Sequence, residues 1–437
     1  MSKVGDPQHS IPDGWKWKRL SEIILTPISG GRPKGGASSE SGTIPSIGGE
    51  HITKGGLLDF SSAKYIPKNY FEKIKFSKLE PGDILICKDG ALAGKVAFYG
   101  KNYFHQAAVN EHVFILRPKN EDSAKYLFFS LQSEDGQNQI KRILTGSAQP
   151  GLTKTFPDYY ILKMPSHFEQ HKIAAILSSV DAAIEQTDDI IAQTERMKKG
   201  LVQELFIKGI NHKEFKKSPI GRIPNEWEVV KIEYLINRKI ISEVQDGNHG
   251  ELHPKEGDFQ DEGIPFITAN CLNHGRISFD NAKFLDSIWL KKLRIGFAKP
   301  NDILLTHKGT IGQTNILGDE YDTVILSPQV TYYRISDTSF LLPEYLHVVF
   351  QSHNFQNKIK QLSMQSTRAY LSITQQKNIL IPLPSPIEQQ KISSIILAVD
   401  GKLENEREHE TYLLKLKNGL MQDLLTGRVR VKVDAHA

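Results

Sequence analysis

Two long helical segments with a seven-residue apolar repeat constrain the fold of this chain more than any other feature. They cover residues 166–208 and 385–427, and the second repeats the first at an offset of 219 residues without a gap. In both, apolar residues recur in steps of four and then three, which is the heptad seam of a coiled coil. About 40 residues at 1.5 Å each predict a rod of roughly 60 Å. Lys198 and Lys417 share one seam position, and polar seam residues tend to fix the register of paired helices.

The beginning of each segment carries a helix-start signature. Ser166 and Glu169 in the first copy match Ser385 and Glu388 in the second. This is the spacing of a capping box, in which the serine hydroxyl and the glutamate carboxylate each accept a hydrogen bond from the other residue's amide. A helix with so long and narrow an apolar stripe needs a partner, and each copy is the obvious partner of the other. Two ordinary amphipathic helices packed on separate cores are the alternative, which the length disfavours.

The repeat extends beyond the helical segments. Residues 11–24 align with residues 223–236, and the motif GDIL at 82–85 returns as NDIL at 301–304. A repeat of about 200 residues is too long for a solenoid unit, so it indicates an internal duplication. The predicted boundaries are a first globular unit at 1–165, a helical segment at 166–208, a linker at 209–222, a second globular unit at 223–384, a helical segment at 385–427 and a tail, expected to fray, at 428–437.

Within each globular unit the pattern favours strands. Short apolar runs, several of them rich in β-branched or aromatic residues, are bounded by Gly, Pro or Asn-Gly breaks. A helix is predicted at 123–133 and again at 343–353, each with a helical continuation. The expected fold class is mixed α/β (α+β) domains joined by long antiparallel coiled-coil helices, with internal duplication.

Composition narrows the class of protein. Cys87 and Cys271 form no CxxC pair, which points to a reducing compartment and away from a zinc site. The N-terminus is polar and no apolar run could span a bilayer, so a cytoplasmic protein is expected. The two helical segments each hold five basic and seven acidic residues, so the rest of the chain carries nine more basic than acidic ones. The globular units are therefore the better candidates to meet a polyanion.

The common catalytic signatures are missing from the sequence. It contains no GxxxxGK[ST] loop, no GxGxxG after a strand, no NPPY or NPPF tetrapeptide and no HExxH. The tripeptide (D/E)xK occurs at 214–216 and 400–402, in the linker and in the second helical segment, where neither copy follows a proline–aspartate strand end. The sequence therefore predicts no catalytic residue, no metal site and no cofactor.

The turns of the globular units are rich in side chains that bind DNA. Arginine and lysine pair with guanine edges, asparagine and glutamine with adenine, and all of them with phosphate. For any one residue a solvated turn is the simpler interpretation, but the two units share a framework and differ in these loops. The candidate DNA-binding residues are Arg32, Lys34, His51, Lys54, Lys88, Lys95, Asn110, His112, Gln149 and Lys154 in the first unit, and Asn248, His249, His253, Lys255, Asn270, Asn273, His274, His307, Lys308, Gln313 and Arg368 in the second.

Over nearly its whole length the chain resembles the specificity subunit of type I restriction–modification enzymes. The resemblance lies in the duplicated GDIL and NDIL strands, in E-Q-x-K-I at 169–173 and 388–392, and in V-D at 180–181 and 399–400. It implies two target-recognition domains, each reading one half of a bipartite double-stranded DNA target, with the helices as an antiparallel spacer. It also implies two modification subunits that carry the methyltransferase chemistry and dock on the helices, restriction subunits that hydrolyse ATP, and a specificity subunit that is itself not catalytic.

One departure and three rival interpretations accompany the resemblance. Glu406 and Glu410 stand in the second seam where the first has Thr187 and Ile191, which is expected to weaken helix contact there. The first rival is an orphan specificity subunit of a methyltransferase-only complex. The second is a stand-alone DNA-modifying enzyme with an unfamiliar site. The third is a coiled-coil scaffold without a nucleic-acid role, which the basic excess and the polar loops disfavour.

Overall fold

The computed structural model describes residues 11–38, 42–53, 55–100, 103–119, 124–146, 150–248, 252–273, 276–364 and 369–431, with the backbone alone for Asn273. The chain divides into two compact units. Residues 1–188 together with 409–437 form unit 1, and residues 189–408 form unit 2.

Unit 1 begins with short strands and helices, numbered here along the chain. Its strands include β1 (Lys16–Arg19), β2 (Ile28–Ser29), β3 (Ile44–Ile47), β4 (Lys64–Ile66), β5 (Ile84–Cys87), β6 (Val96–Phe98), β7 (Ala108–Val109), β8 (Val113–Leu116) and β9 (Ile161–Met164). Its helices include α1 (Leu20–Ile23), α2 (Lys68–Lys73), α3 (Ala124–Gln132), α4 (Glu134–Ile143) and the part of α5 (His167–Lys208) that ends at residue 188.

Unit 2 repeats this plan with additional strands. Its strands include β10 (Phe215–Ser218), β11 (Gly221–Pro224), β12 (Glu228–Lys231), β13 (Ile241–Asp246), β14 (Phe259–Gln260), β15 (Ile264–Ile267), β16 (Leu272–Asn273), β17 (Arg276–Ile277), β18 (Lys283–Leu285), β19 (Phe297–Ala298), β20 (Ile303–Thr306), β21 (Thr314–Ile316), β22 (Val324–Leu326), β23 (Val330–Ile335) and β24 (Leu380–Leu383). Its helices include α6 (Ile232–Asn237), α7 (Trp289–Lys292), α8 (Pro343–Gln351), α9 (His353–Ser363), α10 (Ile373–Lys377) and the part of α11 (Pro386–Leu424) that ends at residue 408.

The sheets of the two units have matching strand orders, which confirms the predicted duplication. The antiparallel sheet β2-β8-β5-β6 in unit 1 corresponds to β13-β23-β20-β21 in unit 2. The second sheet, β4-β3-β7, corresponds to β18-β15-β22, which β14 and β19 extend at its two edges. In both units the last strand pairs antiparallel with an early strand, β9 with β1 and β24 with β12, and so brings the chain back to the long helix.

The continuous apolar runs of the central strands β5 and β20 follow from burial on both faces. Successive side chains of a strand point to opposite sides. Ile84 of β5 accordingly packs in the core formed with α3 and α4, while Leu85 packs in the core against β3 and β7. Ile303 and Leu304 divide in the same way in unit 2. Both units are therefore three-layered, and an alternating polar pattern would not fit their central strands.

The GDIL and NDIL motifs begin these strands with a buried ion pair. Asp83 accepts a bidentate pair of hydrogen bonds from Arg117 at 2.7 and 2.8 Å, and Asp302 does the same with Arg334 at 3.0 and 2.7 Å. The residue before each aspartate has a positive φ, which suits the glycine or asparagine of the motif (Asn301 has φ 69°). Burial raises the pKa of Asp302 although Arg334 opposes this. The motif is therefore a fold element.

The predicted seam of the long helices faces inward. In unit 1 the seam residue Lys417 contacts Asp181 at 2.6 Å, and in unit 2 the seam residue Lys198 contacts Asp400 at 2.5 Å. The two lysines occupy the same position in the repeat, and so do the two aspartates. Each unit thus pairs its parts of α5 and α11 antiparallel with the same register, as the polar seam residues predict.

The predicted capping boxes are only half right. Ser166 and Ser385 each accept the amide hydrogen bond of the glutamate three residues on. The glutamates do not complete the box. Glu169 accepts from the Trp15 indole at 3.1 Å, and Glu388 accepts from the Trp227 indole at 2.9 Å. A buried carboxylate needs strong donors, and these tryptophans open the two globular units, so each glutamate ties a globular part to its helix.

A basic side chain completes each of these clusters, and each of the two corrects a prediction. Arg430 donates to Glu169 at 2.8 and 3.0 Å, so the described start of the predicted frayed tail is anchored. His212 lies 2.9 Å from Glu388. The predicted linker 209–222 contains β10 and the start of β11, which form a hairpin. The segments after both long helices are therefore folded, and each brings a basic side chain to the glutamate at a helix start.

Candidate nucleic-acid interface

Three loops of unit 1 meet at one end of its main sheet. Because Cys87 at the end of β5 pairs with Val113 at the start of β8, the loops 88–95 and 110–112 lie side by side. The described residues around 145–154 join them, since Asp89 and Gly151 form a β-bridge and the Leu152 amide donates to the Lys88 carbonyl at 2.6 Å. We call this region the unit 1 loop edge.

Predicted DNA-binding residues of the unit 1 loop edge are held in an ion network. Arg32 lies 3.2 Å from Glu111, and His112 lies 2.7 Å from Asp89, which itself lies 3.9 Å from the Lys88 ammonium group. Burial raises the pKa of the Cys87 thiol at the base of this edge. The carboxylates hold three basic side chains in place while leaving Arg32 and His112 exposed to solvent.

Unit 2 has the corresponding loop edge at 307–313, 327–329 and 369–372. The amide of Leu371 donates to the His307 carbonyl at 3.0 Å, and Lys308 forms a β-bridge with Tyr370. Beneath it, the Thr331 hydroxyl donates to Asp246 at 2.6 Å and lies 2.8 Å from the His307 ring. The ion network of unit 1 is replaced here by a buried polar network, and Lys308 is left at the surface.

A helix supports each loop edge through the same side chain. Gln137 of α4 donates to the Gly94 carbonyl at 3.0 Å, and Gln356 of α9 donates to the Gly312 carbonyl at 2.9 Å. Both glycines have a φ above 90°, a conformation that other residues rarely adopt. The loop that follows β5 or β20 is thus a rigid part of the domain, which is what reading a base sequence requires.

The structure leaves most of the described candidates accessible. Those exposed to solvent are Arg32, Lys34, His112, Lys154, His253, Lys255, Asn270 and Lys308, and those half-buried are Lys88, Lys95, Asn248 and Gln313. Lys54, Gln149, His249, His274, Arg368 and the side chain of Asn273 lie outside the described residues.

Three candidates are buried and the structure does not support a DNA contact for them. The His51 ring accepts a hydrogen bond from the Gly48 amide at 2.9 Å, and the Asn110 side chain accepts one from the His112 amide at 2.9 Å. His307 is fully buried in the network of Thr331. These polar side chains shape turns from the inside, a role that sequence position alone does not distinguish from base contact.

The chain next to the predicted turn that contains His51 also packs toward the helices. Gln132 of α3 donates to the Gly55 carbonyl at 2.7 Å and accepts from Lys417 at 2.9 Å. The matching turn of unit 2 behaves alike, since Arg276 lies 3.3 Å from Glu404 and from Glu408 of α11. These two turns therefore brace each globular part against its helices.

Sequence reasoning missed basic residues on the helices behind the loop edges. Lys141 and Arg142 on α4, and Lys358 and Lys360 on α9, are exposed. In unit 2 the sequence carried a signal, because no Asp or Glu occurs between residues 344 and 388. A long acid-free stretch beside polar loops is what a phosphate-binding face requires.

Two other kinds of feature are absent from the described residues. Among them, no group of three or more His, Cys, Asp or Glu side chains is placed to hold a metal ion. The same part of the chain has no helix long and apolar enough to cross a membrane. What the two loop edges offer is exposed hydrogen-bond donors on a rigid frame.

Comparisons with known proteins agree with this picture. A sequence profile of the type I restriction modification DNA specificity domain matches residues 12–196 and 224–412. The chain is similar to the type I restriction enzyme MjaVIII specificity subunit of Methanocaldococcus jannaschii, with 28% identity over 430 residues that cover 97% of this chain and 94% of that protein. It is 22% identical to the type I restriction enzyme EcoBI specificity subunit of Escherichia coli over 413 residues, 90% of this chain and 80% of that one.

Solved structures share the fold. The S subunit of a type I restriction-modification system from M. genitalium superposes with a TM-score of 0.61 and 15% identity, covering 97% of this chain and 98% of that one. A chain from a study of complex assembly and conformational transition in the type I R-M system gives a TM-score of 0.52 and 17% identity, with 96% and 100% covered. At such identities the similarity establishes the arrangement of elements and no individual side-chain role.

Proposed function

The chain belongs to the type I restriction modification DNA specificity family, and on that premise we propose how its two units divide the work. Unit 1 and unit 2 each contribute one recognition domain, broadly the predicted segments 1–165 and 223–384, and each domain reads one half of a bipartite target in double-stranded DNA. The observation that carries this proposal is the pair of loop edges. They stand on matching sheets and matching glutamine supports, yet they differ in nearly every exposed side chain.

The division of labour is tested by exchanging one domain. Residues 225–384 are replaced by the equivalent segment of another family member, which leaves α5, the 215–224 hairpin and α11 intact. The sequence methylated in cells that also express the modification subunit is then determined. We expect one half of that sequence to change and the other half to persist, and the exchange of residues 11–165 should change the opposite half. A single exchange that alters both halves would refute the division.

The long helices set the spacing between the half-sites in this proposal. A heptad insertion keeps the seam in phase and adds about 10 Å, which is about three base pairs of B-DNA. Seven residues inserted after Gln186, with seven more after Asn405, should lengthen the unread spacer by about that amount. An active protein that keeps its original spacer would show that another element fixes the distance.

The helices also carry a surface for other subunits. Phe168 and Ile387 occupy the same position at the start of α5 and α11, and they are 57% and 70% exposed. Beside Ile387 lies a groove of about 430 Å³ lined by residues that include Leu342 and Leu397. Exposed apolar side chains at matching positions suit two copies of one partner. We therefore assign them to two modification subunits, with ATP-hydrolysing restriction subunits joining the full complex in the cytoplasm.

The subunit itself is proposed to be non-catalytic. The chain would select the DNA sequence, and the modification subunits would supply the methyl transfer. The pure chain, incubated with duplex DNA, Mg²⁺ and S-adenosylmethionine, should neither cut nor methylate DNA. Methylation should appear when the modification subunit is added. Turnover by the chain alone would favour the stand-alone enzyme instead.

A further inference from the structure

The β10–β11 hairpin of unit 2 places like charges directly opposite each other. In its register Lys217 faces Arg222, and both side chains are exposed. Directly opposed residues of antiparallel strands lie on the same face, and like charges there destabilise the pair. The Arg222 guanidinium lies 4.5 Å from the centre of the Phe215 ring, on the same face. The ring contact holds the guanidinium beside the lysine, and two exposed cations on one face suit a bound anion.

The hairpin is held rigidly. Its turn contains Pro219, and the Ser218 hydroxyl donates to the Gly221 carbonyl at 2.7 Å. Asn354 of α9 donates to the Ile220 carbonyl at 2.8 Å, and Ile223 on the inner face is buried. The two cations are therefore presented from a fixed position, as a designed contact would require.

Helix α9 connects this hairpin to the unit 2 loop edge. Phe355 of α9 is buried, and its neighbours Asn354 and Gln356 project about 100° to either side of it. One neighbour binds the hairpin, and the other binds the Gly312 carbonyl of the loop edge. The exposed face of α9 thus lies between the two, and it carries Lys360 and no acidic residue.

We propose that the face formed by the hairpin and the outer side of α9 binds phosphates of the DNA duplex beside the half-site that unit 2 reads. This inference rests on the proposed function and adds a contact that carries no base information. Lys217 and Arg222 would take the phosphates between them, which removes their mutual repulsion. The two cations lie in a segment, residues 215–225, that contains no Asp or Glu; the flanking acidic residues are Glu214 and Glu226.

The test uses the full-length chain assembled with its modification subunits and a mixed-sequence duplex as the probe. In the double variant Lys217→Gln/Arg222→Gln, the slope of log Kd against log salt should fall by about 2, since each lost phosphate contact contributes about 0.9. The methylated sequence should not change. The control Lys291→Gln/Arg294→Gln removes the same charge from exposed residues at α7 and should leave the slope as in the wild type.

One further variant and a melting measurement separate binding from structure. Lys217→Arg/Arg222→Lys keeps both charges and should keep the slope. The neutral double variant should melt close to the wild-type temperature, because the relieved repulsion offsets the lost contact between Arg222 and Phe215. An unchanged slope, an equal fall in the α7 control, or loss of subunit assembly without a change in slope would each overturn the proposal. If the wild-type assembly itself does not methylate a bipartite sequence, the proposed function is refuted instead.

Discussion

The two units use one framework with different chemistry at corresponding places, and the difference is sharpest where the long helices begin. Glu169 and Glu388 each bind a tryptophan that opens a globular part. The other side-chain partner of this glutamate is the Arg430 guanidinium in unit 1 and the His212 imidazole in unit 2. Arg430 is 46% exposed, whereas His212 is only 10% exposed. The corresponding carboxylate is therefore bound by a half-exposed guanidinium in one unit and by a largely buried imidazole in the other.

The loop edges also differ in the burial of their polar groups. In unit 1, Arg32, Lys88 and His112 are positioned by acidic neighbours near the surface. In unit 2 the corresponding polar groups, among them His307 and Thr331, are buried, and basic charge lies on the hairpin and on α9 instead. Duplication preserved the buried bonds that hold the frame, while surface charge was free to be redistributed.

The largest contrast is expected at the helix starts. His212→Ala removes the imidazole that contacts the largely buried Glu388 carboxylate and should cost unit 2 about 3 kcal/mol, since a charged group that loses a hydrogen-bond partner away from water costs that order. Arg430→Ala removes a half-exposed partner and should cost unit 1 about 1 kcal/mol. Hydrogen exchange resolves the units, with amides of 386–396 reporting on unit 2 and amides of 167–177 on unit 1. Equal losses would show that exposure does not distinguish the two clusters.

Acid should destabilise unit 2 more than unit 1. His347 on α8 replaces Phe128 of unit 1, and burial, with the charge of Lys198 second, lowers its pKa to about 3. The folded state therefore binds fewer protons than the unfolded state, whose pKa is 6.5, so stability falls as the pH drops below 6.5. Between pH 7 and pH 5 the loss is about 2 kcal/mol.

This acid sensitivity is checked by hydrogen exchange of α8 and α3 amides at the two pH values. His347→Phe installs the residue of unit 1 and should remove most of the pH dependence from α8. The variant also leaves Thr314 and Gln351 without the imidazole they contact. The effect of acid on the variant is therefore measured relative to its own stability at pH 7. If α8 keeps its sensitivity to acid, the difference between the units arises elsewhere.

The regular elements could be predicted because their signals are local and repeated. The heptad spacing fixed both long helices, and the duplicated motifs fixed the central strands. The roles of single polar residues could not be predicted. Glu169 has perfect capping-box spacing, yet its carboxylate binds Trp15, which is distant in sequence. His51 and Asn110 look like exposed turn residues but support turns from inside. Such roles depend on long-range contacts, which neither periodicity nor residue type encodes.

A charge sum over a whole segment averages over its surface and does not single out one basic face. Such a sum predicts that the globular parts meet a polyanion. It does not reveal α9, which lies in a stretch without an acidic residue from 345 to 387. The segment 209–222 was predicted to be a linker because it is polar, basic and rich in turn residues. It contains a strand pair that Asn354, which lies far along the chain, contacts at the Ile220 carbonyl.

The smallest expected effect tests whether both units meet DNA in the same way. Lys141 of α4 and Lys360 of α9 occupy the same position in the repeat and are exposed on helices that support the loop edges through Gln137 and Gln356. If each contacts one phosphate, Lys141→Gln and Lys360→Gln should each lower the salt slope of DNA binding by about 1 and weaken all sequences alike. The control Lys18→Gln removes an exposed charge from β1 and should have no effect. An effect from Lys360 alone would mean that unit 2 presents its helix to the duplex and unit 1 does not, so that a shared fold would not imply a shared docking geometry.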